Sequence, residues 1–313
     1  MNLYAYILRR LLYVIPVLLG VCFIIFIIFN VGAPDPAFTL LGRHATVEQI
    51  AQLHHELGMD KPLFAQYLDT IKTAFTFDFG YSWSSKQKIS EMIKAGAGPS
   101  LTLTVPLFFL TLFISISIAL IVAFYRGKFI DKVVLLVSIA TMSIPGLAYI
   151  LFGQWFFAYY LGWFEISGYE AGFPNFIPYI ILPVLLYLFF SWGPDTRFYR
   201  SVILDEVYQD YVRTARSKGL GELTIMFKHV LKNAMIPILT YNVIQIPFLF
   251  LGLLLAESFF GIPGLGGIII KAINTSDFPV IKAMTILSAL GFIIFGVITD
   301  VLYTVVDPRM KLK

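Results

Sequence analysis

The sequence predicts an all-α integral membrane protein. It has six transmembrane helices, an extracytoplasmic helical cap between spans 1 and 2, and a cytoplasmic amphipathic helix between spans 4 and 5. Three observations carry this prediction. Of 313 residues, 58% are hydrophobic and only 13% charged, about half the charge of an ordinary soluble domain. Mean hydropathy is +0.81, with thirty Phe and seventeen Tyr adding to it. The apolar residues also fall into six runs, at 11–29, 101–124, 133–161, 176–192, 237–256 and 283–299. Each is long enough as a helix to cross most or all of a hydrocarbon core of about 30 Å.

Arg9 and Arg10 precede the first run. The run is longer than a signal-peptide core, and Pro34 follows the small residues at 31–33, so it is read as a retained span. Cys22 lies inside it as the single cysteine. One cysteine excludes an internal disulfide or a multi-cysteine metal site, and this one reads as a small buried hydrophobe. Residues 33–98 are polar enough to leave the membrane, yet patterned. Thr46 with Gln49 forms a capping box ahead of Ile50, Leu53 and Leu57, and Gly58 stops that helix. Pro62 opens a second helix carrying Leu63, Tyr67, Ile71 and Phe75. An aromatic turn at 77–83 and a third short helix at 89–95 lead back to the membrane. His54 and His55 are adjacent, so they point in different directions and read as a solvated helix face. The chain thus divides into 1–32 (N-terminal end and span 1), 33–98 (cap) and 99–313 (spans 2–6). Inside the third span, Pro145 with Gly146 predicts a kink, because the ring removes a helix hydrogen bond.

The loop at about 193–236 is the longest inward element. Val207, Tyr208, Tyr211, Val212 and Ala215 share one helical stripe, with Arg213, Arg216 and Lys218 largely off it. Gly219 suits a left-handed helix end, and Gly221 lets the turn continue. Leu223, Met226, Phe227, Val230 and Leu231 begin a second amphipathic run. Asp205 and Glu206 read as a helix start favoured by the dipole. Fifteen Lys and Arg lie at the two termini and in the 2–3 and 4–5 loops, against eight on the other side. That asymmetry predicts cytoplasmic termini and an outward-facing cap.

What is missing narrows the function. None of the six runs contains Asp, Glu, Lys, Arg or His, whereas ion-driven carriers usually need intramembrane ionisable groups. There is no potassium-filter sequence and no Gly-x-x-x-x-Gly-Lys-Ser/Thr phosphate loop. A net charge of +4 is too small to suggest nucleic-acid binding. No catalytic, cofactor-binding or metal-ligating residues are expected. If the protein performs work, the energy enters through another subunit.

Several motifs then occur in order. The most specific is Asp210, Tyr211, Val212, Arg213, Thr214, Ala215, Arg216, Ser217, Lys218, Gly219 and Leu220. Others are Leu8 to Leu11 (Leu-Arg-Arg-Leu), Glu56 to Leu63 with Gln66 and Tyr67, Asp78 to Ser82, and Ile144-Pro145-Gly146. The last are Glu257 to Gly266, Asp277 to Pro279, and Asp307-Pro308-Arg309. On these residues the chain resembles, over nearly its whole length, the inner-membrane permeases of bacterial ATP-binding-cassette importers in the dipeptide/oligopeptide/nickel class. The first of that class's two paired permeases is the nearer likeness. Only Ala215, Gly219 and Leu231 fit the wider superfamily's coupling motif, and the departures agree with the peptide/nickel class.

The resemblance implies a coupling helix at 210–231 seated on a cytoplasmic ATPase, with residues 210–220 as the docking segment. It implies as partners a second homologous permease in a heterodimer, two ATP-binding subunits that hold ATP and magnesium, an extracytoplasmic substrate-binding protein, and membrane lipid. The location would be the bacterial inner membrane, the chain itself no enzyme, and the cargo di- or oligopeptides. Nickel, glycosides or opine-like solutes are alternatives, and an ion-coupled carrier or structural membrane subunit is the reading from a different class. Glu257, Pro263, Gly264 and Asp277 are candidates for an outer gate or a binding-protein contact, against ordinary turns with solvated carboxylates.

Overall fold

Sequence-local chemistry builds the helices, and glycine decides where they approach one another. A computed structural model describes residues 3–32, 35–42 and 45–306. Among them lie five helices long and apolar enough to span a membrane, and a sixth span if one bent pair counts as one. These residues are helical throughout their regular elements, with a single isolated β-bridge between Tyr81 and Lys88. Asp307, Pro308 and Arg309 lie outside the described residues, and of the 8–11 motif only the Arg9 side chain is described. The chain forms two compact units, residues 1–98 with 264–313, and residues 99–263.

In the first unit, Leu12–Val31 is the first span. The Val47–Glu56 helix begins with the complete Thr46–Gln49 capping box, and Gly58 follows it at φ +67°. Pro62 precedes Leu63–Thr76. Gln66, from the cap motif, donates to the carbonyls of Met59 (3.0 Å) and Lys61 (2.9 Å). Tyr67 reaches the Leu19 carbonyl of the first span at 3.0 Å. Leu18, Cys22 and Ile25 pack with Ala74 and Ile286, which buries the lone cysteine as expected.

The short helix expected at 89–95 is instead the first turns of Ile89–Phe124, an unbroken 36-residue helix. Gly96 and Gly98 look like breakers, but Gly96 serves packing. A Cβ there would stand 2.8 Å from Ile268 and 3.1 Å from Leu265. Small residues let transmembrane helices close in, and such helices tolerate Pro99 and Pro106.

In the second unit, Pro145 does more than kink the third span. Phe129–Ser143 and Gly146–Tyr160 meet at 87°, with Ile144 forced into extended backbone ahead of the proline. The fourth span continues past 192 through Gly193 and Pro194 to Val207. Gly193 again marks a close approach, since its Cβ would lie 3.2 Å from the Ser138 carbonyl. This places Asp205 and Glu206 in the last turn of that helix rather than at a helix start. Here the dipole disfavours them, and Glu206 is held instead by the Tyr211 hydroxyl. The fifth span, Glu222–Phe260, is interrupted at Ile244–Gln245 and again at Gly252–Leu253. The helices outrun their apolar runs, so ionisable groups ride on them after all, Asp195, Glu257 and Lys282 among them.

Candidate functional site

The 210–231 element is built from two helices and a glycine turn. Asp210–Ser217 is a short helix with Val212 and Ala215 buried. Its chain reverses at Gly219, φ +76°, a conformation that costs a residue with a Cβ about 1–2 kcal/mol. Gly221 then begins Glu222–Thr224, which continues through the π-helical stretch Ile225–Val230 into Leu231–Val243. Val212, Ala215, Ile225, Met226 and Val230 share one core with Ala119, Ala123, Tyr199, Ile203 and Ile238. One face of the element is therefore locked into the transmembrane helices.

Met226 and Val230 point inward as the sequence pattern predicts; Leu223 and Phe227 do not. They are 66% and 60% exposed, with Leu220 at 40%. The wider π-helical turn shifts the register, turning Ile225 inward and leaving Phe227 on the outer face. Among the basic residues, Arg216 is committed within the element. Its guanidinium grips Glu222 in bidentate fashion at 2.8 and 3.1 Å across the glycine turn. Arg213 is 3.5 Å from Asp210, and Lys218 caps the first helix in an exposed position. Burial first, and then the neighbouring Glu206 carboxylate, push the Tyr211 phenol up to about 12. The stripe expected over 207–215 is divided between two helices, because the fourth span ends at Val207 and the next helix starts at Asp210. Tyr208 lies at that break, 54% exposed, with Arg126 5.0 Å over its ring in a cation–π contact.

Behind the element, two buried polar contacts brace the helices, and sequence reading missed both. Arg200 donates two hydrogen bonds, 2.9 and 2.8 Å, to Asp131, whose side chain is 5% exposed. Asp131 also accepts from the Gly127 backbone at 2.8 Å. Tyr199 and Asn242 pair at 2.7–3.0 Å. The signal for Asp131 was a lone acid in the first turn of a helix among basic loop residues, and its partner is 69 positions away.

The outer candidates divide between the two units. In residues 264–313, Asp277 is 1% exposed. It accepts from Ser82 Oγ (2.6 Å), Ser84 Oγ (2.8 Å), and the Trp83 and Ser84 amides (3.1 and 3.0 Å). Burial alone would raise its pKa, but these donors outweigh it and hold the carboxyl below its ordinary value. In residues 99–263, Glu257 is likewise 1% exposed, accepting from Ser100 Oγ at 2.8 Å and the Leu253 amide at 3.0 Å. Neither carboxylate is solvated, contrary to the simple turn expectation. Pro263 is exposed and Gly264 buried.

Lys282 donates to Asn30 Oδ1 (3.2 Å) and Thr70 Oγ1 (2.9 Å), tying the sixth span to the cap helix Leu63–Thr76. His54 and His55 each face a different acid, Asp35 at 2.9 Å and Asp60 at 2.7 Å. Among the described residues, no group of three or more His, Cys, Asp or Glu is placed to hold a metal ion.

Comparison with known proteins agrees over nearly the full length. Residues 115–312 match the family described as binding-protein-dependent transport system inner membrane component. Residues 3–104 match that family's N-terminal region. The chain is 33% identical over 308 residues to the glutathione transport system permease protein GsiC of Salmonella choleraesuis (strain SC-B67), covering 98% of this chain and 99% of that protein. It is 32% identical to the protein of that name from Shigella flexneri serotype 5b (strain 8401), and 31% to that of Escherichia coli (strain K12), with the same coverage.

Proposed function

The chain belongs to the binding-protein-dependent transport system inner membrane components, the multi-pass permeases of ATP-binding-cassette importers, and from that premise we propose how it is driven and what it carries. Residues 210–231 form the coupling element, seated on a cytoplasmic ATPase. With a second, homologous permease, the chain forms a path for di- or oligopeptides delivered by an extracytoplasmic binding protein. ATP is bound and hydrolysed by two partner subunits. Both termini and the coupling loop face the cytoplasm, and the 33–98 cap faces outward. The excess of Lys and Arg on one side supports this orientation. The name of the similar glutathione permeases supports a peptide cargo, since glutathione is a tripeptide.

One observation carries the coupling assignment. The inner face of the element is fused to the helix core, while Leu220, Leu223 and Phe227 are exposed, as are Arg213 and Lys218 of the same element. Exposed apolar side chains accompanied by charged ones are the composition of a docking surface. Rigid attachment to the helix core lets a displacement of the docked partner become a helix movement.

The docking claim is tested with Leu223→Glu/Phe227→Glu in the assembled transporter. Loss of two apolar anchors at an interface centre costs about 2 kcal/mol or more each, so co-purification of the ATPase subunits should fail while the permease still folds. Arg216→Glu/Lys218→Glu tests the basic rim and the turn together. Retained ATPase and retained uptake in both variants would refute docking through this face.

A further inference from the structure

Within residues 99–263, three transmembrane segments converge on a cavity of about 420 Å³. Its polar lining comes in helical register: Thr104 and Thr111 on one helix, Ser191 and Asp195 on the next, Asn242 and Gln245 on the third. Spacings of seven and four put each of the first two pairs on one face, and Gln245 sits at the break just after the helix that carries Asn242. Phe108, Phe190 and Phe248 supply aromatic walls. The third segment is broken beside this cavity, at Ile244–Gln245 and at Gly252–Leu253. Interrupted helices at membrane depth are tolerated where they line a cavity, and they mark binding sites in transporters.

Asp195 is the one carboxylate in that lining, and no Lys or Arg shares it. It lies twelve residues from the end of Ile177–Val207, about 18 Å into the helix. Among the described residues one hydrogen bond reaches it, from the Tyr241 hydroxyl at 3.2 Å. The neighbouring arginines are directed elsewhere: Arg200 is spent on Asp131, and Arg197 is exposed beside Met142. A carboxylate has about four acceptor sites, so most of this one's capacity is open to the cavity. Leaving such a charge in low dielectric without a cation is expensive. An ionisable residue so placed points to a ligand of opposite charge.

We propose that Asp195 receives the primary ammonium group of a transported peptide, its free amino terminus, as the peptide passes through this cavity. The carboxylate and the Thr111 and Ser191 hydroxyls offer acceptors to the three N–H groups, and the aromatic walls take the apolar body and the cation's face. This deepens the peptide reading above and rests on it. Sodium or potassium ions and a lysine side chain share part of the chemistry, and the test separates them.

The complete transporter, reconstituted with its ATPases, second permease and binding protein, is assayed for ATP-driven uptake of alanyl-alanine and of N-acetyl-alanyl-alanine. Wild type is compared with Asp195→Asn and Asp195→Glu. The binding protein is unchanged, so its own preference cancels in the variant-to-wild-type ratio. Losing a charge-assisted hydrogen bond should lower kcat/KM for the free-amino peptide on the order of tenfold or more. The acetylated peptide should change by less than about twofold, since it never engages the charge. Glu should restore part of the loss. Equal losses for both peptides would give Asp195 a purely structural role and overturn the proposal.

A second arm reads the site without transport. A hydrophobic carbodiimide adduct on Asp195 is followed by mass spectrometry. Alanyl-alanine should suppress the adduct, and N-acetyl-alanyl-alanine should not. Acetyl-lysine amide, which carries a side-chain ammonium alone, and sodium or potassium chloride should suppress it less. An unlabelled Asp195, or equal protection by all of these, overturns the proposal. Uptake of neither peptide with selective protection intact would overturn the peptide reading and leave the ammonium site standing.

Discussion

Asp131→Ala is expected to cost about 3–5 kcal/mol, the usual penalty for removing one partner of a buried ion pair. The pair is bidentate, at 2.9 and 2.8 Å, and its two side chains are 5% and 19% exposed. Deleting Asp131 strands the Arg200 guanidinium in a poorly solvated site and leaves the Gly127 amide without its acceptor. Arg200 follows Tyr199 on the helix that packs against the 210–231 element. The damage therefore falls on the support of that element as well as on global stability. Thermal unfolding of the detergent-solubilised transporter should show a clear loss in Tm. Asp131→Leu with Arg200→Met should recover most of it, because replacing both charges removes the unpaired one. An Asp131→Ala protein as stable as wild type would show that water reaches the pair and that it braces nothing.

Gly252→Ala should be nearly as costly, for two separable reasons. Gly252 has φ +73°, and that conformation alone costs a residue with a Cβ about 1–2 kcal/mol. The added Cβ would also stand 2.2 Å from Glu257 Oε1 and 2.8 Å from Ser100 Oγ. Glu257 would have to leave its hydrogen bonds to Ser100 and Leu253, and a buried carboxylate that loses such partners adds about 1.5–3 kcal/mol. Gly162→Ala is the internal control. Gly162 also has positive φ, at +64°, but nothing lies within 4 Å of its Cβ position. Only the conformational cost applies there. Equal losses in the two variants would mean that Glu257 moves aside freely.

Much of the fold was legible because bilayer physics is one-dimensional. Apolar run length located the spans, and the Thr46–Gln49 box, Pro62 and Gly219 act within a few residues of themselves. What escaped reading was long-range. Gly96 and Gly193 look like helix breakers until the facing side chains and backbone are known, so the helices running through them were cut short. Asp195 falls outside its apolar run for that reason, whereas Glu257 and Lys282 lie just past the ends of theirs, on helices that continue beyond the apolar residues. Period alone finds the buried Val212 and Ala215, but it does not show the helix break that leaves Tyr208 exposed or the π-helical register that exposes Phe227 and buries Ile225. Nothing near Arg216 in sequence marks its partner, because Glu222 lies beyond a glycine turn whose geometry joins them. In sequence Asp277 and Glu257 fit either an outer gate or solvated turns, because Ser82 and Ser100, 195 and 157 positions away, give no local sign that they will donate.

The central claim, that 210–231 is seated on an ATPase through its outer face, is tested most directly by site-specific photo-cross-linking in the functional transporter. A benzophenone side chain is placed in turn at position 223, at 227, and at the fully buried position 225. The account predicts cross-links from positions 223 and 227 to a nucleotide-binding subunit, with yields that change when ATP is added. Position 225 should cross-link only within the permease. A transporter that still imports its cargo but gives no ATPase cross-link from 223 or 227 would contradict it.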